Sequence, residues 1–339
     1  MSMEARYQGV GRIAVREVAT PEPAPGQVRV RVQRCGICGS DLHCFRGHSP
    51  LPEACPGHEM SGIVEVLGSG AKGVKEGDRV AIEPLRRCGR CRHCQSGNYH
   101  LCGRLALFGV SLAGGMASQI VVPDYTVFPL PAALDFELGA LAEPTAVAIH
   151  AARLGGVGPG SRVLVLGAGT IGLVAAAAAR RLGAAGVAIS ARHPHQARLA
   201  EAFGVDEVLD PNDLRGAGEK PDVVLETVGG DATTVADAML AVARGGIVVM
   251  VGLFETTPRF DPGVMILKEV RLVGSMVYNR PPGGFADYDL ALDCIAAHSA
   301  AMRSLVTHTF ALGEVQAAFE TAADKKSGAV KVMLAPDGN

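Results

Sequence analysis

The spacing of apolar and polar residues changes character along the chain. Up to about residue 145, short segments alternate apolar and polar residues, as half-buried strands do. Turns rich in glycine and proline, such as Thr20–Gly26, separate these segments. This succession of short strands and turns predicts a β-barrel or β-sandwich. The predicted strands are Arg12–Val18, Gln27–Gln33, Ser61–Leu67 and Asp78–Ile82.

From about Gly155 onward, continuous apolar segments alternate with helical ones. Such apolar strands are buried on both faces, which predicts a parallel sheet covered by helices, and six strands make a full doubly wound fold. The predicted strands are Arg162–Leu166, Val187–Ser190, Glu207–Leu209, Asp222–Leu225, Ile247–Val251 and Arg271–Gly274. The predicted helices are Leu173–Leu182, His195–Phe203, Thr233–Ala243 and Tyr288–Ala297.

The last forty or so residues return to the first pattern. A strand (Leu305–Phe310), a helix (Leu312–Ala323) and a final strand (Ala329–Leu334) are predicted there. We assign this segment to the first domain, so that the α/β domain is an insertion between its two parts.

Composition limits the classes of function. The chain has 339 residues, 48% of them hydrophobic and 19% charged, with a net charge of −2. This length suits two domains, and the charge balance argues against a nucleic-acid partner. No apolar run is long enough to cross a bilayer, and the first residues do not resemble a signal peptide, so we expect no membrane partner and a cytoplasmic location. Nine cysteines in a reducing compartment indicate metal binding or catalysis.

Four cysteines within residues 88–102 stand at the spacing C-x2-C-x2-C-x7-C. Four thiolates can enclose a tetrahedral zinc ion and leave no position for water, which indicates a structural metal. An iron–sulfur cluster is the second thiolate interpretation, and four unrelated free thiols is the third. The residues are Cys88, Cys91, Cys94 and Cys102.

A glycine-rich segment follows the strand Arg162–Leu166 and precedes a helix. This context gives the pattern G-x-G-x-x-G its meaning, because the glycines allow a tight turn and the helix N-terminus attracts phosphate groups. The segment predicts a dinucleotide site. Its cofactor-binding positions are Gly167, Gly169, Thr170, Ile171 and Gly172.

The end of the second strand of this domain bears on the choice of cofactor. An acidic residue there would bind the 2′-hydroxyl of NAD, but the segment Ser190-Ala191-Arg192-His193 has no carboxylate. Ser190 and Arg192 could bind a 2′-phosphate instead, since the planar guanidinium suits phosphate. We therefore favour NADP over NAD.

Three local segments before the α/β domain carry metal-ligand residue types. They contain Cys38, the pair His58-Glu59, and Glu143. A thiolate, an imidazole and a carboxylate form a three-ligand zinc site with one position open for water or substrate. Such a zinc acts as a Lewis acid on an alcohol. These segments therefore predict a catalytic zinc.

Together these motifs resemble the zinc-dependent medium-chain dehydrogenases, and in particular their polyol or sorbitol-dehydrogenase-like branch. The similarity runs nearly from end to end. It rests on Gly36–His43, Gly57–Glu59, the four-cysteine segment 88–102, Glu143-Pro144, the turn Gly167–Gly172 and the closing segment Ala323–Gly328.

The resemblance implies a fold and roles for single residues. It implies a GroES-like β-barrel catalytic domain of residues 1–148 and 298–339, and a Rossmann domain of residues 149–297 with a six-stranded parallel sheet. Cys38 and His58 would be ligands of the catalytic zinc, and Glu59 and Glu143 compete as the third ligand. Ser40 would contact the substrate oxygen, and His43 would pass its proton to solvent.

The expected reaction is reversible oxidation of a secondary alcohol, diol or polyol to a ketone, with hydride transfer to NAD(P). The expected cofactors are two zinc ions per chain, one catalytic and one structural, with a nicotinamide dinucleotide. Two alternatives remain: a zinc-free enone or quinone reductase on the same scaffold, and a non-catalytic nucleotide-binding protein. The resemblance also implies a homodimer or homotetramer, with Arg271–Tyr278 as a candidate sheet edge.

Overall fold

In the computed structural model, which describes residues 1–214, 220–324 and 326–336, the alternating segments at the start of the chain form strands. Glycines with positive φ, such as Gly26 (+73°) and Gly77 (+85°), make the turns between some of them. The elements of this part are β1 (Ser2–Gly9), β2 (Arg12–Val18), β3 (Gln27–Gly36), α1 (Gly39–Phe45), β4 (Glu59–Leu67), β5 (Arg79–Ile82), β6 (Leu85–Arg86), α2 (Arg92–Gln95), β7 (Ala106–Leu107), β8 (Gln119–Pro123), β9 (Val127–Pro129) and α3 (Phe136–Ala140).

The predicted strand–helix alternation is confirmed in the second part of the chain. It contains α4 (Ala142–Leu154), β10 (Arg162–Leu166), α5 (Thr170–Arg181), β11 (Gly186–Ser190), α6 (Pro194–Ala202), β12 (Glu207–Leu209), β13 (Val223–Glu226), α7 (Thr234–Ala241), β14 (Ile247–Met250), α8 (Pro262–Lys268) and β15 (Arg271–Gly274). The last elements are α9 (Asp287–Ala297), α10 (Ser299–Leu305), β16 (Val306–Ala311), α11 (Val315–Ala323) and β17 (Lys331–Ala335).

The chain divides into two units, one of Met1–Glu143 with Asn279–Asn339 and one of Pro144–Tyr278. The helix α9 lies in the first of these units, whereas the predicted Rossmann domain, residues 149–297, includes it. The hydroxyl of Tyr288 on this helix donates a hydrogen bond of 2.6 Å to the carbonyl oxygen of Ile82. The first boundary lies within α4, whose helical pattern the sequence prediction did not include.

The main sheet of the first unit has the order β16-β17-β3-β4-β5-β9, and β8 also pairs with β3. Its pairs are antiparallel except for the parallel pair β16–β17. The inward side chains of β3 at Val28, Val30 and Val32 are fully buried in the core of this unit. The C-terminal strand β17 therefore lies directly beside β3, the strand that leads into α1.

The second unit has a six-stranded parallel sheet in the order β12-β11-β10-β13-β14-β15. The strand order reverses between β10 and β13, and in such sheets ligands bind at the carboxyl ends of the strands at this point. The glycine-rich turn follows β10 at that place. Within the described part of the chain, no helix is both long and apolar enough to cross a membrane.

One helix of this unit was missed by the sequence analysis although its start signal is present. Pro262 is the first residue of α8, and the side chain of Asp261 accepts a hydrogen bond of 2.8 Å from the backbone N–H of Gly263. An aspartate at the N-cap followed by proline is a standard helix start. The short apolar segment between β14 and β15 did not show a clear helical period.

Candidate active site

Cys38 lies at the junction between β3 and α1, where its backbone is still extended. The carboxylate of Asp41 accepts a hydrogen bond of 2.9 Å from the backbone N–H of Cys38. Asp41 is buried, and burial raises the pKa of its carboxyl group. This contact fixes the start of α1, and Asp41 therefore supports the segment. Ser40 and His43 follow on the same helix, three positions apart, so they lie on one face.

His58 and Glu59 are placed by a turn that only glycine can make. Gly57 has a φ of +96°, and a side chain there would come within 2.6 Å of Cys35 Sγ. Glu59 is the first residue of β4, and both His58 and Glu59 are buried. The ligand-type atoms of Cys38, His58 and Glu59 all lie within 4.8 Å of one another. Two distant segments thus place three different ligand types at one point.

Glu143 is buried in the first turn of α4 but stands outside that group of three. The charge of Glu143 nevertheless affects the pKa of His58. Burial by itself lowers that pKa, but the negative charges of Cys38, Asp41 and Glu143 outweigh burial and hold it well above its usual range. The site therefore attracts positive charge.

The residues present fit a bound metal ion. The Nδ1 atom of His58 is buried and has no hydrogen-bond partner among the residues that the structure describes. A buried polar atom without a partner is costly and calls for an explanation such as an ion or water. A thiol, an imidazole and a carboxylate converge at this place, and this mixed set is typical of a catalytic zinc.

Lys331 completes the surroundings of Glu59 and was missed by the sequence analysis. It is the first residue of β17, its side chain is 4% exposed, and its Nζ is 2.7 Å from each carboxylate oxygen of Glu59. The signal was present in the sequence, because a lysine within the predicted apolar strand Ala329–Leu334 must have a charged partner if it is buried. The partner could not be read from the sequence.

The four cysteines of the 88–102 segment also converge. Their sulfur atoms lie within 4.8 Å of one another, and Cys91 Sγ is 3.5 Å from Cys94 Sγ. Hydrogen bonds from the backbone N–H groups of Arg90 and Cys91 lower the pKa of Cys88 to about 6, which favours the thiolate. None of the four forms a disulfide. The geometry fits one tetrahedral metal ion.

The other cysteines do not join either cluster. Cys35 and Cys55 are fully buried in the core of the first unit, and Cys44 lies on α1 with its sulfur 3.5 Å from the carbonyl oxygen of Pro50. Burial raises the pKa of Cys35 well above its ordinary value. Cys35 and Cys55 act as small packing residues rather than ligands.

The glycine-rich turn has the geometry that a dinucleotide requires. Gly167 has a φ of +95°, and a side chain at Gly172 would come within 1.8 Å of the carbonyl oxygen of Gly167. A side chain at Gly169 would meet nothing within 4 Å, so the space in front of this residue is open. Gly169 also caps the N-terminus of α5, where Thr170 and Ile171 begin the helix. The open space and the exposed N–H groups together fit a pyrophosphate.

The structure separates the two residues that we assigned to the 2′-phosphate. Ser190 is buried at the end of β11, and its Oγ accepts a hydrogen bond from the backbone N–H of Gly167. Arg192 is two residues further along and is exposed. Ser190 therefore holds the turn, whereas Arg192 is available to an anionic ligand.

Comparison with protein families agrees with both parts of the chain. Residues 24–132 match the alcohol dehydrogenase GroES-like domain, and residues 170–297 match the zinc-binding dehydrogenase family. These matches confirm the expected fold class, with a GroES-like domain and a Rossmann-like domain.

Individual relatives cover almost the whole chain. L-idonate 5-dehydrogenase of Vitis vinifera is 33% identical over 98% of this chain and 94% of its own length. Sorbitol dehydrogenase of Arabidopsis thaliana is 33% identical over 98% of this chain and 95% of its own length. A protein of Sinorhizobium meliloti 1021 described as a zinc-binding dehydrogenase, in a structure bound to NADP, is 34% identical with a TM-score of 0.88 over 99% of both chains. This chain therefore belongs to the zinc-dependent medium-chain dehydrogenases, in their sorbitol-dehydrogenase-like branch.

Proposed function

We propose that this protein is a zinc-dependent dehydrogenase that reversibly oxidises a secondary alcohol, diol or polyol to a ketone, with NADP⁺ as the preferred hydride acceptor. The observation that carries the proposal is the convergence of Cys38, His58 and Glu59 within 4.8 Å. The relatives act on idonate and sorbitol, both polyhydroxylated compounds. A zinc-free enone or quinone reductase would not require these three metal-ligand residue types to converge.

In this proposal Cys38, His58 and Glu59 would hold the catalytic zinc, and Glu143 would supply a further negative charge to the site. Glu59 is preferred as the third ligand because its oxygen belongs to the converging group. When bound, the zinc acts as a Lewis acid that makes the substrate hydroxyl easier to deprotonate. Cys88, Cys91, Cys94 and Cys102 would hold a second, structural zinc.

The protein's own residues would then move the proton. Ser40 would contact the substrate oxygen, take its proton and release its own hydroxyl proton to His43. His43, three residues further on the same face of α1, would pass that proton to solvent. A histidine suits this role because its imidazole titrates near neutral pH. The nicotinamide would accept a hydride from the substrate carbon, so that one alcohol and one NADP⁺ would give one ketone, one NADPH and one proton.

The cofactor site would lie at the carboxyl ends of β10 and β11. Gly167 to Gly172 would receive the pyrophosphate, and Arg192 would bind the 2′-phosphate through its planar donors. The absence of a carboxylate at the end of β11 and the NADP-bound relative both support this preference. We propose that the domains correspond to the two units, with the catalytic residues in the first and the nucleotide site in the second.

We also propose a homo-oligomer that pairs through the edge of the Rossmann sheet. β15 is the last strand of that sheet, and the preceding helix α8 exposes Ile266 and Leu267 by 74% and 75%. Exposed apolar side chains beside a free strand edge are a common dimer surface. Light scattering of Ile266→Glu and of the unchanged protein tests this, and a monomeric unchanged protein would contradict it.

The main proposal is tested with a panel of alcohols and polyols, each supplied with NAD⁺ and with NADP⁺, together with metal analysis. We expect two zinc ions per chain and the highest kcat/KM with a polyol and NADP⁺. Activity that survives complete removal of zinc would support the zinc-free alternative instead.

A further inference from the structure

The environment of Glu59 restricts how its carboxylate can meet a metal ion. Lys331 Nζ lies 2.7 Å from Oε1 and 2.7 Å from Oε2 of Glu59. An ammonium at equal distance from both oxygens occupies the edge of the carboxylate between them. That edge is where a metal ion must lie to bind both oxygens at once.

The ammonium itself cannot turn away from this position. Lys331 Nζ donates a third hydrogen bond, of 3.0 Å, to the backbone carbonyl oxygen of Ile37. An ammonium has three N–H donors, so all of them are used. The side chains of Lys331 and Glu59 are only 4% and 1% exposed, and water cannot easily replace either partner.

The backbone fixes the carboxylate from the other side. Gly36 pairs with Glu59 across β3 and β4 and with Met333 across β3 and β17. A side chain at Gly36 would come within 2.0 Å of Glu59 Oε2. The carboxylate of Glu59 therefore lies over the backbone of β3, held between this glycine and the ammonium of the neighbouring strand.

We propose that Lys331 is a positioning residue that makes Glu59 a one-oxygen ligand of the catalytic metal and thereby keeps a coordination position open for substrate. The ammonium occupies the edge between the two carboxylate oxygens of Glu59. Only a lone pair of one oxygen that points away from this edge can then bind an ion near Cys38 and His58. This inference rests on the proposed metal site. It adds that Lys331, which is not itself a metal ligand, controls the coordination number of the metal.

The consequence is a specific effect of removing the ammonium. In Lys331→Met the side chain keeps a similar size but leaves both oxygens of Glu59 without their donor. Glu59 should then bind the metal with both oxygens and occupy the position that substrate needs. We expect unchanged metal content, a higher coordination number, and a loss of kcat of at least about tenfold, as for other partners of metal ligands.

The experiment compares the unchanged enzyme, Lys331→Met and Lys331→Arg, each loaded with Co²⁺ in place of zinc. The visible absorption of Co²⁺ is strong in tetrahedral sites and weaker when the coordination number rises. The four-thiolate site contributes equally to all three, so differences report on the Cys38 site. Lys331→Arg should keep the original spectrum, because a guanidinium fork covers the same edge of a carboxylate.

Weaker absorption in Lys331→Met at full metal content supports the proposal. An unchanged spectrum, or loss of the metal from the Cys38 site, overturns it, because either would give Lys331 a merely structural role. If Lys331→Met does not fold, a weakened Co²⁺ spectrum in Lys331→Arg overturns it and an unchanged spectrum supports it. Failure of the proposed function would give a different result. The unchanged enzyme would then bind metal only at the four thiolates and would have no catalytic metal site.

Discussion

The backbone N–H of Gly167 donates a hydrogen bond of 3.0 Å to the Oγ of Ser190, which ties the glycine-rich turn to the end of the neighbouring strand. The hydroxyl of Ser190 thus supports the part of the turn that any dinucleotide would use. Arg192, two residues further on, is exposed and has the charge that a 2′-phosphate requires. The two residues should therefore affect cofactor binding in different ways.

We expect Arg192→Ala to weaken NADPH binding by at least about tenfold and to leave NADH binding nearly unchanged, because a charge-assisted hydrogen bond contributes about 1.5–3 kcal/mol. Ser190→Ala should weaken both cofactors to a similar degree. Titration of cofactor fluorescence measures both constants. An equal loss for NADH and NADPH in Arg192→Ala would contradict the 2′-phosphate assignment.

Cys38→Ala should abolish turnover while the fold survives. Loss of a direct ligand should cost more than the 10- to 100-fold that loss of a ligand's outer partner costs, so we expect a decrease in kcat of at least about a hundredfold. Cys44→Ala is the matched control, because this thiol lies on the same helix outside the converging group. Near-normal turnover of Cys38→Ala, with a normal circular dichroism spectrum in both variants, would refute the role of Cys38.

Cys91→Ala should act on stability rather than on chemistry. Removal of one thiolate opens the four-cysteine site, and metal binding there contributes to folding free energy. We expect loss of one zinc per chain and a decrease of roughly 10 °C in Tm, since about 1 kcal/mol shifts Tm by 2–4 °C in domains of this size. Loss of turnover at unchanged Tm and zinc content would exclude a structural role.

Glu83 should make stability depend on pH. This carboxyl group is 1% exposed and accepts a hydrogen bond from the Tyr99 hydroxyl, while Arg87 and Arg280 supply nearby positive charge. Burial outweighs these contacts and raises its pKa to about 7 from 4.5. The folded protein therefore holds a proton that the unfolded chain releases, so the stabilisation present below pH 4.5 is lost as the pH rises to 7.

We expect Glu83→Gln to remove this dependence. The free energy of unfolding of the unchanged protein should fall by up to about 3 kcal/mol relative to Glu83→Gln between pH 5 and pH 8, because one pKa unit corresponds to 1.36 kcal/mol. Denaturant unfolding at the two pH values measures the difference. Glu76→Gln, which changes an exposed carboxylate, should follow the unchanged protein. Parallel pH profiles for Glu83→Gln and the unchanged protein would contradict the assigned pKa.

Local patterns predicted most of the fold. Alternation of apolar and polar residues located β2, and continuous apolar runs located the strands of the parallel sheet to within a residue or two. These signals are local because a strand that is buried on both faces needs apolar residues at every position. The boundary near α9 could not be predicted in the same way. Its helical pattern is equally compatible with either unit, and the contact of Tyr288 with Ile82 assigns it to the first.

The sequence by itself predicted the four-cysteine cluster and the glycine-rich turn, because each depends on residues within one short segment, and it supplied the residue types proposed for the catalytic site. Only the tertiary structure decided that Lys331 pairs with Glu59, which lies 272 positions earlier in the chain. That pairing exists because β17 lies beside β3, and the order of strands in a sheet depends on packing of the whole unit. The local sequence around Lys331 or Glu59 therefore could not predict this pairing.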